Sequence, residues 1–332
     1  MKGNILSAMA AMGLMSIAGV VGSCAGGAGS QIDRLQQLKT QDSIVGVALD
    51  ADPQWVLVMA DSMDAAQAVE KERIAYYRAL AYNKMGQKKT AEEWGKKALK
   101  SDVLQEENAE IFYDVCDLIF TTMSYREDEE GALPYAQKGL EVAKEDQSEV
   151  GRHWMAVLLH DVGYCEMRLG RIDEAEKCFS QSYIALNQIA ATSNKFEDLR
   201  TLARVSYNIV DAYTSTGQYD KAKAWIESAD DAVDLLAGSP QCTQAMKEDY
   251  QGGLMIQKAV VLLGMGLREE ADAAYNEALT LEYANTDIGI LERAAYLEKA
   301  ERWNDLKQLT ARLNTLSESW GTQAPKTENT QN

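Results

Sequence analysis

The chain has 332 residues and carries 51 acidic against 33 basic side chains, a formal net charge of −18. Such a charge repels phosphate polyanions, which argues against a nucleic-acid partner, and it disfavours an anionic lipid surface unless a covalent anchor holds the chain there. Only 4 prolines occur, and Ala, Leu, Glu, Lys and Gln dominate, a balance that favours helices over a sandwich or barrel.

Lys2 and the terminal amine open the chain, an uncharged run follows from Ile5 to Val21, and then come Gly22, Ser23 and Cys24. A basic start, an apolar stretch and small residues are the anatomy of a secretory signal, here residues 1–23. Val21-Gly22-Ser23-Cys24 resembles the lipobox of bacterial lipoproteins, with Val where Leu is commoner. The resemblance implies that the Cys24 thiol is diacylated, the signal is cut before it, and the new amine is acylated. Two or three acyl chains anchor stably where one does not. Cleavage by an ordinary signal peptidase near Ser23 and retention as an uncleaved anchor are the competing readings. The Gly-rich residues 24–30 read as a lipidated flexible tether. The next most apolar run, Leu254–Leu267, is interrupted by Gln257 and Lys258 and reads as a buried helix rather than a span.

Past the tether, Ile32–Leu49 and Gln54–Ala68 are amphipathic segments divided near Asp52-Pro53, a helix start with a capping carboxylate and a proline in the first turn. A pattern then recurs. Gly86, Gly170, Gly217 and Gly266 are each followed five residues later by alanine, namely Ala91, Ala175, Ala222 and Ala271. Seven residues before the glycines stand Ala79, Gly163, Val210 and Ala259, small residues in all but the case of Val210. Seven residues is two helical turns, so the small residue lies on one face, where a second helix can approach closely. The glycine ends the first helix in the left-handed conformation. The alanine begins an apolar stripe on the second helix. Each unit is thus a helical hairpin that must stack on its neighbours to bury its apolar face.

These residues, with Tyr82, Tyr213, Phe179 and Tyr275, resemble the tetratricopeptide repeat, although that family's tryptophan and proline positions are not matched. The glycine-to-glycine intervals of 47 and 49 residues exceed the family's usual period of about 34 and imply longer helices and turns. The resemblance implies an all-α fold: a right-handed superhelical solenoid of antiparallel helix hairpins over residues 31–320. Units fall near 31–68, 70–100, 108–144, 153–190, 199–236 and 249–282, with a capping hairpin at 288–316 in which Glu301 replaces the glycine. The polar residues 321–332 read as a disordered tail.

Little here looks like catalysis. His153 and His160 are seven apart on one helix, about 10.5 Å along its axis, too far to share a metal ion. No Cys-x-x-Cys, phosphate loop or nucleophile elbow is present, so no catalytic residue, metal or cofactor is expected. Cys165 and Cys178 fall on the two helices of one hairpin, either as a disulfide or as thiols packed in the core. Registered on the glycines, the family's groove-facing positions include Tyr76, Leu80, Asn83 and Lys84, then His160, Tyr164, Met167 and Arg168, then Arg204, Tyr207, Asn208 and Asp211. The expectation is a membrane-anchored, non-enzymatic lipoprotein of the bacterial cell envelope that binds a protein or peptide on a concave face. A detached extracytoplasmic sensory or accessory module of a two-component regulator, and an outer-membrane assembly or nutrient-uptake lipoprotein, are the alternatives.

Overall fold

The computed structural model describes residues 28–311, so the signal segment and Cys24 lie outside the described residues, as does the tail. Among the described residues, fourteen α-helices run in chain order as far as Lys299. They are α1 (Ala28–Ala51), α2 (Pro53–Ala66), α3 (Lys71–Lys84), α4 (Lys88–Ala98), α5 (Val103–Glu107), α6 (Ala109–Ser124) and α7 (Glu129–Glu145). Then follow α8 (Glu149–Arg168), α9 (Ile172–Ser193), α10 (Phe196–Ser215), α11 (Tyr219–Ala237), α12 (Gln244–Gly264), α13 (Arg268–Ala278) and, after a 3-10 turn at Glu282–Asn285, α14 (Asp287–Lys299). Residues 303–311 are again helical, and no strand occurs among the described residues. The chain is all-α, built of helical hairpins. Ala28–Ser30, read from sequence as the end of the tether, already lie in α1.

The contacts divide the chain into two compact units, Met1–Ser182 and Tyr183–Asn332. In unit 1 the hairpins are α1/α2, α3/α4, α6/α7 and the start of α8/α9; in unit 2 they are α10/α11, α12/α13 and α14 with residues 303–311. The hairpin turns share one hydrogen-bond pattern. At the α3/α4 turn the Gly86 N–H donates to the Asn83 carbonyl at 3.0 Å, and the Gln87 N–H reaches back to the Tyr82 carbonyl at 2.9 Å. This double closure is the Schellman cap, which needs a left-handed residue, and Gly86 has φ +75°. The same pair of bonds recurs at Gly170, Gly217 and Gly266. It also recurs at Glu127, with φ +59°, and at Glu301, with φ +56°, where no glycine is available.

Packing explains the alanine spacing. Ala91, Ala175, Ala222 and Ala271 are all completely buried, as is Ala132, five residues after Glu127. Twelve residues after Gly170, Ser182 is also buried, and its hydroxyl donates to the Ala156 carbonyl at 2.6 Å. The small residues before the turns have the complementary role: a Cβ on Gly163 would stand 2.8 Å from Phe179. Asp52 caps α2 as expected, its carboxylate accepting the Gln54 N–H at 2.9 Å, with Pro53 next in line. Cys116, Cys165, Cys178 and Cys242 are all free thiols. Burial in the unit 1 core pushes Cys116 up to about 12 and raises Cys165 as well, the mark of inert packing cysteines.

Candidate functional site

Unit 1 contains a groove of about 910 Å³ along its first-of-hairpin helices α1, α3, α6 and α8. Its walls are assembled by α3. Arg73 and Tyr77 are four residues apart and share a helix face that meets α1, where both grip Asp42. Arg73 Nη1 lies 2.8 Å from each Asp42 carboxylate oxygen, and the Tyr77 hydroxyl donates to Oδ1 at 2.7 Å. Arg73 itself is 1% exposed, so Asp42 neutralises a guanidinium that water cannot reach. Tyr76, the neighbouring residue, is rotated by about 100° on the helix. It reaches the opposite neighbour, α6, donating its hydroxyl to Asp114 Oδ2 at 2.5 Å.

Asp114 has no such cation. Burial pushes its carboxyl up to about 6, the Tyr76 hydrogen bond opposes the rise, and the like charges of Asp117 and Glu110 add to it. Further along the groove, Asp146 accepts the Ser148 N–H at 2.9 Å and the Tyr113 hydroxyl at 3.2 Å. Those bonds, with that of the Ser148 hydroxyl, hold its carboxyl below the usual range, chiefly through Ser148. Trp154 of α8 completes the wall, its ring 6.2 Å from that of Tyr113. Asp42, Glu110, Asp114 and Asp146 face this space with one lining cation, Lys39.

The expected groove positions divide. Tyr76 is in the groove wall. Asn83 is not: it accepts the Lys88 ammonium at 2.7 Å and ties the α3/α4 turn. Lys84 pairs with Asp50 at 3.2 Å on an exposed edge, and Leu80 packs beside Ala79 and Leu118. His160 is a correction, because it is 1% exposed: its Nδ1 sits 2.9 Å from Asp161, and the rings of Phe120, Tyr164 and Phe179 surround it. Met167 is fully buried, Tyr164 packs edge-on against Phe120, and Arg168 is drawn to Glu129 at 3.3 Å. The reason is geometric. The C-terminal halves of the first helices converge on the hairpin turns and are filled by packing. The opening lies one to two turns nearer their N-termini, at Asp114, thirteen residues before Glu127, and Trp154, sixteen before Gly170. Registering the 108–144 unit on Glu127 would have placed Asp114 at the position Arg204 holds relative to Gly217.

In unit 2 the corresponding face is bridged. Tyr207 of α10 donates its hydroxyl to Glu292 Oε1 of α14 at 2.6 Å, and Tyr283 hydrogen-bonds the same carboxylate. The two tyrosines lie across α12, where a Cβ on Gly253 would come within 3.0 Å of Tyr207 and one on Gly252 within 2.6 Å of Tyr283. Burial raises Glu292, both tyrosine bonds lower it, and Asp211 adds a like charge. Arg204 and Asn208 are half-buried on the same helix, Arg204 close enough to Tyr250 to lower that phenol against its burial.

The Tetratricopeptide repeat family model matches residues 203–232 and 253–285. The chain carries tetratricopeptide repeats. The two matched stretches cover α10/α11 and α12/α13 together with the 3-10 turn, and the Schellman-capped hairpins of unit 1 have the same construction. No curated protein matches the sequence. Among solved structures, the apo form of RapI is similar at 18% identity and TM-score 0.55, over 80% of this chain and 72% of that one. A Rap protein complexed with competence and sporulation factor is similar at 15% identity and TM-score 0.51, over 81% and 72%. BtubC (BKLC) from P. vanneervenii is similar at 14% identity and TM-score 0.50, over 71% and 92%. At these identities the likeness is one of fold.

Among the described residues no helix is long and apolar enough to cross a membrane, and no group of three or more His, Cys, Asp or Glu is placed to hold a metal ion.

Proposed function

We propose that this chain is a non-enzymatic lipoprotein of the bacterial cell envelope, anchored through Cys24, whose helical hairpins bind a protein or peptide partner. The observation that carries the binding half is the unit 1 groove, which is large enough for several side chains and is walled by tyrosine, tryptophan and carboxylates on rigid helices. Aromatic faces on fixed helices bind polypeptide at small ordering cost. A Rap protein of similar fold is complexed with competence and sporulation factor, which supports a ligand-holding role for such an array. The non-enzymatic reading is supported by His160 and Asp161, a hydrogen-bonded pair that substrate cannot reach, since both are closed off from solvent. The anchoring half rests on Val21-Gly22-Ser23-Cys24 and the uncharged run before it.

Two experiments test the halves separately. A photo-crosslinking amino acid at Ser43, exposed on the groove lip, is expected to capture an envelope protein in living cells, while the same group at the exposed Leu235 of unit 2 does not. Equal capture at both positions defeats the binding site. Labelling with a radioactive fatty acid is expected to mark wild type and not Cys24→Ala, and equal labelling defeats the anchor.

A further inference from the structure

The unit 1 groove holds an imbalance that its own residues do not settle. Asp42 is matched by Arg73, and Asp146 by the Ser148 N–H and the Tyr113 hydroxyl. Asp114 is different. Its Oδ2 takes the Tyr76 hydroxyl, and among the described residues the charged groups that act on it are the acidic Asp117 and Glu110. A carboxylate set into a cleft without a cation is costly, and a fold retains it where something else supplies the charge. The same cavity is walled by Trp154, and an aromatic face beside carboxylates attracts guanidinium and ammonium groups.

We infer that the unit 1 groove seats a basic side chain, arginine or lysine, of a partner polypeptide, with Asp114 as its counter-ion and Trp154 as its aromatic wall. Charge complementarity commits the occupant: four carboxylates and one lysine line the space, so an acidic segment is repelled and a basic one is drawn in. The groove runs past four helices, α1, α3, α6 and α8, which suits an extended segment that reaches several walls rather than a lone small cation. This inference rests on the protein-binding reading above and names the chemistry of its partner.

The test uses the full chain in detergent and an immobilised octapeptide library, with each position fixed in turn as Arg, Lys, Gln or Glu and the rest randomised. Wild type is expected to retain Arg- or Lys-fixed pools about 10-fold better than Gln-fixed pools at one or more positions, the value of one well-placed charge pair. Because the whole chain is acidic, general attraction is separated from the site by Asp114→Asn. That variant changes one charge, keeps an acceptor for Tyr76, and is expected to lose most of the preference. Trp154→Leu is expected to weaken the basic pools about 3-fold, and Glu292→Gln in unit 2 to leave them unchanged. A preference that persists in Asp114→Asn, or selection of Glu- or Gln-fixed pools, overturns the inference while leaving a peptide-binding protein. Retention of spermine by the groove with no peptide pool selected also overturns it. Failure of every pool, together with failure of the Ser43 crosslink, defeats the protein-binding reading itself.

Discussion

The two units use the same hairpin and treat its first-helix face in opposite ways. In unit 2 a tyrosine from α10 and another from the 3-10 turn close over the Gly252-Gly253 step and meet on Glu292, so the face is internally bonded. In unit 1 the equivalent helices are tied in pairs, α3 to α1 through Asp42 and α3 to α6 through Asp114, and a groove of about 910 Å³ stays open between the ties. The repeat therefore specifies the turns and the buried alanines. Whether a face is sealed or available is decided by a few polar residues that the repeat leaves unspecified.

The largest expected effect is on the tie that holds unit 1 together. Asp42→Ala leaves Arg73 buried with Glu107 at 3.7 Å as its remaining carboxylate, and removing one partner of a buried pair costs about 3–5 kcal/mol. Urea denaturation should show a loss of that order. A loss below 1 kcal/mol means that Arg73 finds water or Glu107 readily and the tie is dispensable. In unit 2 the matching lesion is steric. Gly252→Ala puts a methyl group 2.6 Å from Tyr283 Cβ and forces the 3-10 turn outward, a cost of about 1–3 kcal/mol. Hydrogen exchange should locate the loosening in residues 244–299 and leave residues 71–168 protected.

Asp114 sharpens the contrast with a gain instead of a loss. Its folded carboxyl titrates at about 6 against 3.8 for the free group, so the unfolded chain releases the proton first. The folded state thus holds the extra proton between those values. The contribution to stability is present in full below pH 3.8 and disappears as pH rises through about 6. Asp114→Asn, which removes the charge, should then be more stable than wild type by up to about 3 kcal/mol at pH 7.5 and by little or nothing at pH 3.5. Thermal melts at the two pH values check this. A variant that is less stable at pH 7.5 shows that the carboxylate is satisfied within the fold.

The hairpins were legible because their signal is short-range and steric. A glycine at a left-handed turn and an alanine five residues on are each required by backbone geometry and helix contact, and one sequence displays them. The groove was much less legible. Apart from Tyr76 and Arg204, the candidates registered on the glycines fall on the C-terminal halves of the first helices, where His160 and Met167 are core. Of them, Tyr76 alone lines the groove, and Asp42, Asp114 and Trp154 were not singled out. Which polar residues meet across three helices depends on inter-repeat packing, and periodicity along one helix does not encode that. The Tyr207–Glu292 bond spans 85 residues of sequence, and the tyrosines lie on a Gly-Gly step whose missing side chains no repeat pattern calls for.

The smallest expected effect lies where the repeat pattern fails in sequence and holds in structure. Glu301 makes both Schellman bonds, its N–H to the Glu298 carbonyl at 3.0 Å and the Arg302 N–H to the Leu297 carbonyl at 2.9 Å, with φ +56°. A side chain with a Cβ pays about 1–2 kcal/mol for that conformation, and glycine's greater freedom in the unfolded chain returns about 0.5–1 kcal/mol of the difference. Glu301→Gly should therefore stabilise unit 2 by about 0.5–1 kcal/mol, and Gly217→Ala, the reverse change at φ +75° with open space around the Cβ, should destabilise by a similar amount. Opposite shifts in the denaturation midpoint make the two turns equivalent members of one repeat. Shifts of the same sign show that the Glu301 side chain contributes something at the last hairpin that backbone geometry does not describe.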